Sequence, residues 1–260
     1  MPWAWQPKLK KIAEDLGLIF FSSPFDNSAV DFLEKMGTPA YKIASFEITD
    51  VGLIEYIAKK NKPIIISTGI ATREDISRAL RVCRRAGNDQ IALLKCTSSY
   101  PAPYSEMNLR TIPDMAKDFK VVVGLSDHSI GQMVPISAVA LGAKIIEKHF
   151  ILDRKIGGPD ASFSMEPDEF KKMVEEIRDV EQVLGAVTYE LSPRSKKNRE
   201  LSRSLFVVED IKKDEEFTSK NVRSIRPGFG LHPKHLKVVL GKKAKSDIRR
   251  GTPLGLNMIK

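Results

Sequence analysis

Short apolar runs alternate with longer amphipathic stretches along the first two-thirds of the chain. The runs occupy residues 18–23, 40–45, 63–68, 91–97, 121–126 and 144–150. Each is nearly continuous in Ile, Val, Leu, Phe or Ala, the pattern of strands covered on both faces of a parallel sheet. The stretches between them carry helical spacing. Residues 28–36 set Val30, Leu33 and Met36 on one side. Residues 73–86 follow Thr72, a good N-cap, and stop at Gly87. Residues 130–141 and 168–184 read the same way, and a short helix over 5–15 leads into the first run. The runs recur about every 25 residues, the period of βα units.

Polar residues gather where each run ends: Ser22 and Ser23; Ser45 with Glu47; Ser67 and Thr68; residues 97–100; Ser126, Asp127 and His128; Lys148 and His149. Ligands bind at the C-terminal ends of parallel strands in closed barrels and open sheets alike. Polar tips on six successive runs fit a ring better than an open sheet. The expected fold class is therefore α/β, a TIM-type (β/α) barrel. A closed barrel of this type has eight strands, so the pattern predicts that two βα units are missing ahead of Met1.

After residue 184 the rhythm changes. Residues 190–200 are polar and rich in Lys and Arg. Short β-like pieces follow at 204–208, 222–225, 238–240 and 248–259, separated by turn residues such as Pro227, Gly228, Gly241 and Gly251. The expected domains are a partial barrel over 1–188, a linker over 189–200 and a small β-rich domain over 201–260. A core of that size leans on a partner surface for stability.

Charge sharpens this division. From residue 194 to the end, 18 Lys and Arg face 7 Asp and Glu; the preceding 193 residues hold 24 and 26. The whole excess of the +9 chain lies in the tail. Such a segment binds nucleic acid, offers cations to an anionic small molecule, or is a solvated basic surface. Two cysteines without framework spacing, Cys83 and Cys96, point to reduced thiols and a cytoplasmic setting. No apolar run reaches the roughly 20 residues of a membrane-spanning helix. The first residues lack the basic-then-apolar pattern of a signal peptide.

Three sets of residues can carry chemistry. His128 and His149 stand at adjacent strand ends; two imidazoles so placed hold a divalent metal with open positions, or are two unrelated hydrogen-bonded histidines. Lys42 interrupts an apolar run, which is costly unless the ammonium meets an anion. An edge lysine, a Schiff-base lysine and an anion clamp all remain open. Lys95 and Lys148 also interrupt strands, which favours an anion-binding interior. Ser23, Ser67, Thr68, Ser98 and Ser126 add neutral donors or act as turn residues. Asp160, in the loop after the last run, contacts a sugar hydroxyl or forms a turn. Glu47 polarises a metal-bound water or forms a salt bridge. No Walker loop, dinucleotide glycine fingerprint or nucleophile elbow is present.

Seven motifs occur in order: FSSPFD at 21–26, YKIASFE at 41–47, ISTG at 66–69, KCTSSYP at 95–101, GLSDHS at 124–129, EKHF at 147–150 and GPD at 158–160. Together they resemble the sialic-acid-synthase family, which includes N-acetylneuraminate, legionaminate and pseudaminate synthases. The tail, with RSLFVV at 203–208 and RPGFG at 226–230, is similar to the SAF (antifreeze-like) domain that closes such enzymes. The resemblance implies a transferase that condenses phosphoenolpyruvate with an acetamido-sugar aldehyde, releasing phosphate by C–O cleavage. It implies His128 and His149 as ligands of a divalent metal, Mn²⁺ first, with Mg²⁺ or Co²⁺ as alternatives. Ser23, Lys42, Ser67, Ser98 and Ser126 match phosphoenolpyruvate contacts. Glu47 matches an acidic residue near the metal, Tyr100 and Asp160 match sugar contacts, and Arg226 matches an arginine inserted into the partner subunit's site of a domain-swapped homodimer.

WAWQP at 3–7 and GPDASFS at 158–164, with Ala161 where sialate synthases usually carry His, look most like pseudaminate synthases. That implies 2,4-diacetamido-2,4,6-trideoxy-L-altrose as acceptor, with N-acetylneuraminate or legionaminate synthesis as the alternatives. Full-length relatives begin with two further βα units, so weak or no activity is expected of the chain in isolation. Three rivals stand beside this reading: a Schiff-base aldolase, a basic nucleic-acid-binding module, and a fragment that folds only with a partner. The tail's cations are not interleaved with aromatics, which argues against single-strand binding.

Overall fold

The structure, a computed structural model, describes residues 2–260. Two helices, α1 (Gln6–Asp15) and α2 (Asn27–Lys35), precede strand β1 (Tyr41–Ile43). Then follow α3 (Val51–Ala58), β2 (Ile64–Ser67), α4 (Arg73–Arg85), β3 (Ile91–Cys96), α5 (Thr111–Phe119), β4 (Val122–Asp127), α6 (Met133–Ala140), β5 (Ile145–Lys148) and α7 (Pro167–Leu184). The five strands form one parallel sheet in sequential order, as in a βα barrel wall.

Local chemistry accounts for the element starts. Asp26 caps α2 by accepting from the amide of Ala29 at 2.8 Å, and Asp50 caps α3 by accepting from that of Leu53 at 3.0 Å. Thr72 and Asp75 form a reciprocal capping box on α4. Helix α3, not among the helices expected from the sequence, sets Leu53, Ile54, Ile57 and Ala58 along one buried face.

Alternation along each strand separates two faces. Tyr41, Ile43, Ile64, Ile66, Leu93, Val123 and Leu125 point to the helices and join one buried cluster with Val30, Leu33, Ile54, Ile57, Leu80 and Ile112. Each such Leu or Ile contributes about 1.5–3 kcal/mol of burial. The interleaved residues Lys42, Ser67, Leu94, Cys96, Ser126 and Glu147 belong to the opposite, inner face.

The run at 18–23 does not form the full strand expected of it. Only Ser22 bridges, in parallel, to Tyr41. It lies outside β1 at the sheet edge, where no further strand pairs with it among the described residues, and Leu18 and Ile19 stay exposed.

Two compact units divide between Gly185 and Ala186. The second begins with α8 (Pro193–Asn198), capped by Ser192, inside the segment expected to be a linker. Strands β6 (Ser204–Val207) and β7 (Val222–Ile225) pair antiparallel. The predicted strand at 238–240 is instead the end of a short helix, α9 (Leu236–Val239). Its Val239 is buried with Leu205, Val207, Phe217, Val222 and Leu254 in a core belonging to this unit. The 248–259 run gives isolated bridges, Ile211 to Ile248, Phe206 to Pro253 and Ala244 to Ile259, because a turn at Gly251 and a 3-10 turn over Leu256–Met258 interrupt it.

Candidate active site

The inner face carries one lysine. Lys42, at the centre of β1, is 7% exposed and donates from Nζ to Ser67 Oγ at 2.8 Å. Glu147 Oε2, from β5, lies 3.6 Å from the same ammonium. Ser126, from β4, donates to the other oxygen of Glu147 at 2.8 Å. Side chains from four strands thus meet in one charged, hydroxyl-bearing cluster. Burial pushes the Lys42 ammonium below the usual lysine range, while the Glu147 and Glu47 carboxylates pull it back up.

A second cluster of neutral donors adjoins it. Ser98 donates to Ser45 Oγ at 3.0 Å, and Ser45 accepts from the amide of Ile70 at 3.1 Å. Cys96 is buried beside them, its Sγ 4.0 Å from Ser98 Oγ; burial raises its thiol pKa and keeps it protonated. Gly69 leaves the room these groups occupy. A Cβ there would stand 2.1 Å from Ser98 Oγ and 2.7 Å from Ser45 Oγ. Gly69→Ala therefore displaces both hydroxyls. The variant is expected to fold normally by circular dichroism yet bind inorganic phosphate at this cluster at least about tenfold more weakly than the parent, the worth of one or two hydrogen bonds to a charged group.

The two histidines come together. The His128 and His149 ring centroids are 5.2 Å apart. Tyr100 lies over His128 at 4.3 Å, and the buried Phe163 ring sits 4.9 Å from His149. His128 Nδ1 lies 2.9 Å from the Thr97 carbonyl, which can only accept, so Nδ1 donates there and Nε2 is the nitrogen left for another partner. His149 Nδ1 is 3.6 Å from Asp160. Burial, then the neighbouring His128, lowers the His149 pKa and holds it neutral. Two adjacent imidazoles suit a divalent ion whose other positions go to water and substrate. Among the described residues, no group of three His, Cys, Asp or Glu side chains is placed to hold an ion. Glu47, in the turn after β1, has a buried oxygen, Oε2, with no hydrogen-bond partner. An orphaned carboxylate oxygen in a polar cluster calls for a donor or cation from outside the protein.

Two expectations change. Lys95 and Lys148 belong to the outer face, not an anion-binding interior. Lys95 donates to the Cys96 carbonyl at 2.6 Å and to Thr97 Oγ1 at 3.1 Å. Lys148 is ion-paired with Asp127 at 2.6 Å. Each is one residue out of phase with the inward positions. Ser23 follows the bridge at the sheet edge and makes no side-chain hydrogen bond among the described residues. Arg226 follows β7 in the second unit. Sequence reading missed Glu147, Gly69 and Phe163, and gave Ser45 only as a polar strand tip without a role. Period two on β5 was the available signal for Glu147, which registers with Ser126.

Parallel βα repeats that gather hydroxyls, a buried lysine and paired imidazoles at successive strand ends define an enzyme of the barrel class. Residues 1–189 match the NeuB family model, and residues 202–260 match the SAF domain model. The chain belongs to the NeuB family and carries an SAF domain at its C-terminal end. It is 46% identical over 253 residues to pseudaminic acid synthase of Campylobacter jejuni, covering 97% of this chain and 74% of that protein. It is 37% identical over 251 residues to N,N'-diacetyllegionaminic acid synthase of Legionella pneumophila, covering 95% and 70%. The crystal structure of spore coat polysaccharide biosynthesis protein spsE from Bacillus subtilis aligns with a TM-score of 0.68 at 36% identity, covering 100% of this chain and 78% of that one.

Proposed function

We propose that this enzyme condenses phosphoenolpyruvate with an acetamido-sugar aldehyde to give a nonulosonic acid and phosphate. The observation that carries the reading is the buried Lys42 ammonium, set among hydroxyls and 3.6 Å across the interior from Glu147, two residues before His149. A buried ammonium needs an anion, and its resting counter-ion is Glu147, ion-paired with it at 3.6 Å. A phosphate or carboxylate bound by Lys42, Ser23, Ser67, Ser98 and Ser126, with Ser45 added by the geometry, takes over that role.

Held there, the enol carbon attacks the aldehyde carbon, and the aldehyde oxygen takes a proton. Positive charge develops at C2 of the former enol. Water adds to C2 and loses a proton, for which Glu147, released from Lys42, is the acceptor at hand. Collapse of the resulting hemiketal phosphate breaks the C2–O bond, giving the keto acid and phosphate. A divalent ion held by His128 and His149, Mn²⁺ by preference, supplies electron withdrawal from the aldehyde oxygen. The orphaned oxygen of Glu47 orients the water or hydroxyl beside it. Tyr100 and Asp160, next to the imidazoles, contact the sugar. Most of the acceleration comes from orientation and fixed charge.

The acceptor we propose is 2,4-diacetamido-2,4,6-trideoxy-L-altrose. The higher identity to the pseudaminate than to the legionaminate relative supports it, as does Ala161 after Asp160. We also propose that Arg226 serves the site of a second copy in a homodimer. The test is isotopic. Phosphoenolpyruvate carrying ¹⁸O in its bridging C–O–P position should yield labelled phosphate, only when sugar and Mn²⁺ are both present. Label found in the keto acid, or phosphate release without sugar, overturns the proposal.

A further inference from the structure

Behind the two imidazoles lies a sealed ion pair that the reaction does not use. Lys148 and Asp127 are register partners at the end of the β4–β5 ladder. Their side chains are 1% and 0% exposed, and Nζ meets Oδ2 at 2.6 Å. The same carboxylate accepts from the Ser129 amide at 2.9 Å and from the Ser129 hydroxyl at 3.0 Å. Lys148 also donates to the Ser129 carbonyl. Two of these contacts, both from Lys148, tie the end of β5 to residues 127 and 129, the two neighbours of His128, and the other two lock residues 127 and 129 to each other. The residue after Lys148 is His149. Among the described residues, no other side-chain hydrogen bond links these two histidine-bearing strand ends beyond Ser126 and Glu147.

Strand alternation places this pair on the face opposite to Ser126 and Glu147. It touches neither the proposed substrate pocket nor the imidazole rings, so it takes no part in bond making. What it does fix is the backbone on both sides of His128 and immediately before His149. We infer that Lys148 and Asp127 are positioning residues. They form a brace that sets the separation of the two imidazoles and so governs how tightly a divalent ion is held. This inference rests on the two-imidazole metal reading. Outer partners that orient ligating side chains elsewhere change metal affinity by about 10–100-fold.

The test measures Mn²⁺ binding directly, by electron paramagnetic resonance of the free ion titrated with the 260-residue chain. Asp127→Leu combined with Lys148→Met removes both charges together, leaving no unpaired ion in the interior. The expected result is a folded protein with a similar circular dichroism spectrum and a Kd for Mn²⁺ raised at least about tenfold. Activity lost at low Mn²⁺ should return as Mn²⁺ is raised, a split that general loss of fold does not produce. If that variant fails to fold, Asp127→Asn with Lys148→Met keeps an acceptor for Ser129; its Kd should rise by a smaller factor, at least about threefold. A parent chain that binds Mn²⁺ and a folded variant that binds it within about twofold overturn the brace alone. A parent chain that takes up no Mn²⁺ removes the metal reading and the brace with it.

Discussion

His128→Ala is expected to lower phosphoenolpyruvate-dependent phosphate release by on the order of 10³-fold and to abolish stoichiometric Mn²⁺ uptake. The size follows from losing a Lewis-acid contribution of several kcal/mol at about 1.36 kcal/mol per tenfold. The ring is held by the Thr97 carbonyl at 2.9 Å on one nitrogen and covered by Tyr100. Alanine therefore removes a ligand and leaves a small gap without disturbing the ladder. Steady-state phosphate release and Mn²⁺ titration read the two effects separately. Unchanged turnover would take this residue out of the reaction.

Lys42→Met should be nearly as damaging, through binding of the anionic substrate. A hydrogen bond to a charged group contributes about 1.5–3 kcal/mol, and the ammonium faces a molecule with two anionic groups. A fall in kcat/KM for phosphoenolpyruvate of about 100-fold follows, with the sugar KM little changed. The pH profile provides a second reading. Burial lowers the Lys42 pKa, so as pH rises through that lowered value the ammonium is lost and KM for phosphoenolpyruvate climbs. The methionine variant lacks this alkaline limb. Stability moves the other way. Between the lowered folded value and the ordinary lysine value, the unfolded chain binds more protons, so the native state gains stability as pH rises. Methionine removes that slope too. A variant with the parent's alkaline limb would assign the titration to another group.

Much of the scaffold was legible because parallel strands buried on both faces announce themselves. Residues 91–97 and 121–126 differ from β3 and β4 by one residue at an end or at each end. The Thr72 start of α4 was readable from its cap. What failed did so for identifiable reasons. A short apolar cluster such as Leu236, Val238 and Val239 cannot distinguish a strand from one turn of helix, and at 236–239 a four-residue helix won. Residues 18–23 have strand composition but only one neighbour to pair with.

Within the site, the histidine pair and Lys42 were readable from strand-end position. Lys95 and Lys148 were misplaced because interruption of an apolar run says nothing about which face is interrupted. Counting in twos from Lys42 to its register partner Ile65, then Ser67 and Leu94, would have put Lys95 outside. Glu147 stayed hidden because it sits beside two other charged or titratable residues, and only the ladder shows that it alone of Glu147 and Lys148 shares a face with Ser126. Gly69 was invisible, and Ser45 readable only as a polar strand tip, for another reason: what matters is the space around them, which folding creates.

Five parallel strands whose reacting groups occupy every second position make the molecule intolerant of a single inserted or deleted residue. Gly124 shows how tight the fit is, since a Cβ there would lie 2.3 Å from the Ile145 carbonyl. Sliding β5 by one place against β4 would turn His149 toward the helices and present Lys148 to the pocket, exchanging an electron-pair donor for a cation where an ion is to bind. Length changes are tolerable in the loops; in the segment from Ile145 to His149, chemistry is written in the count of residues.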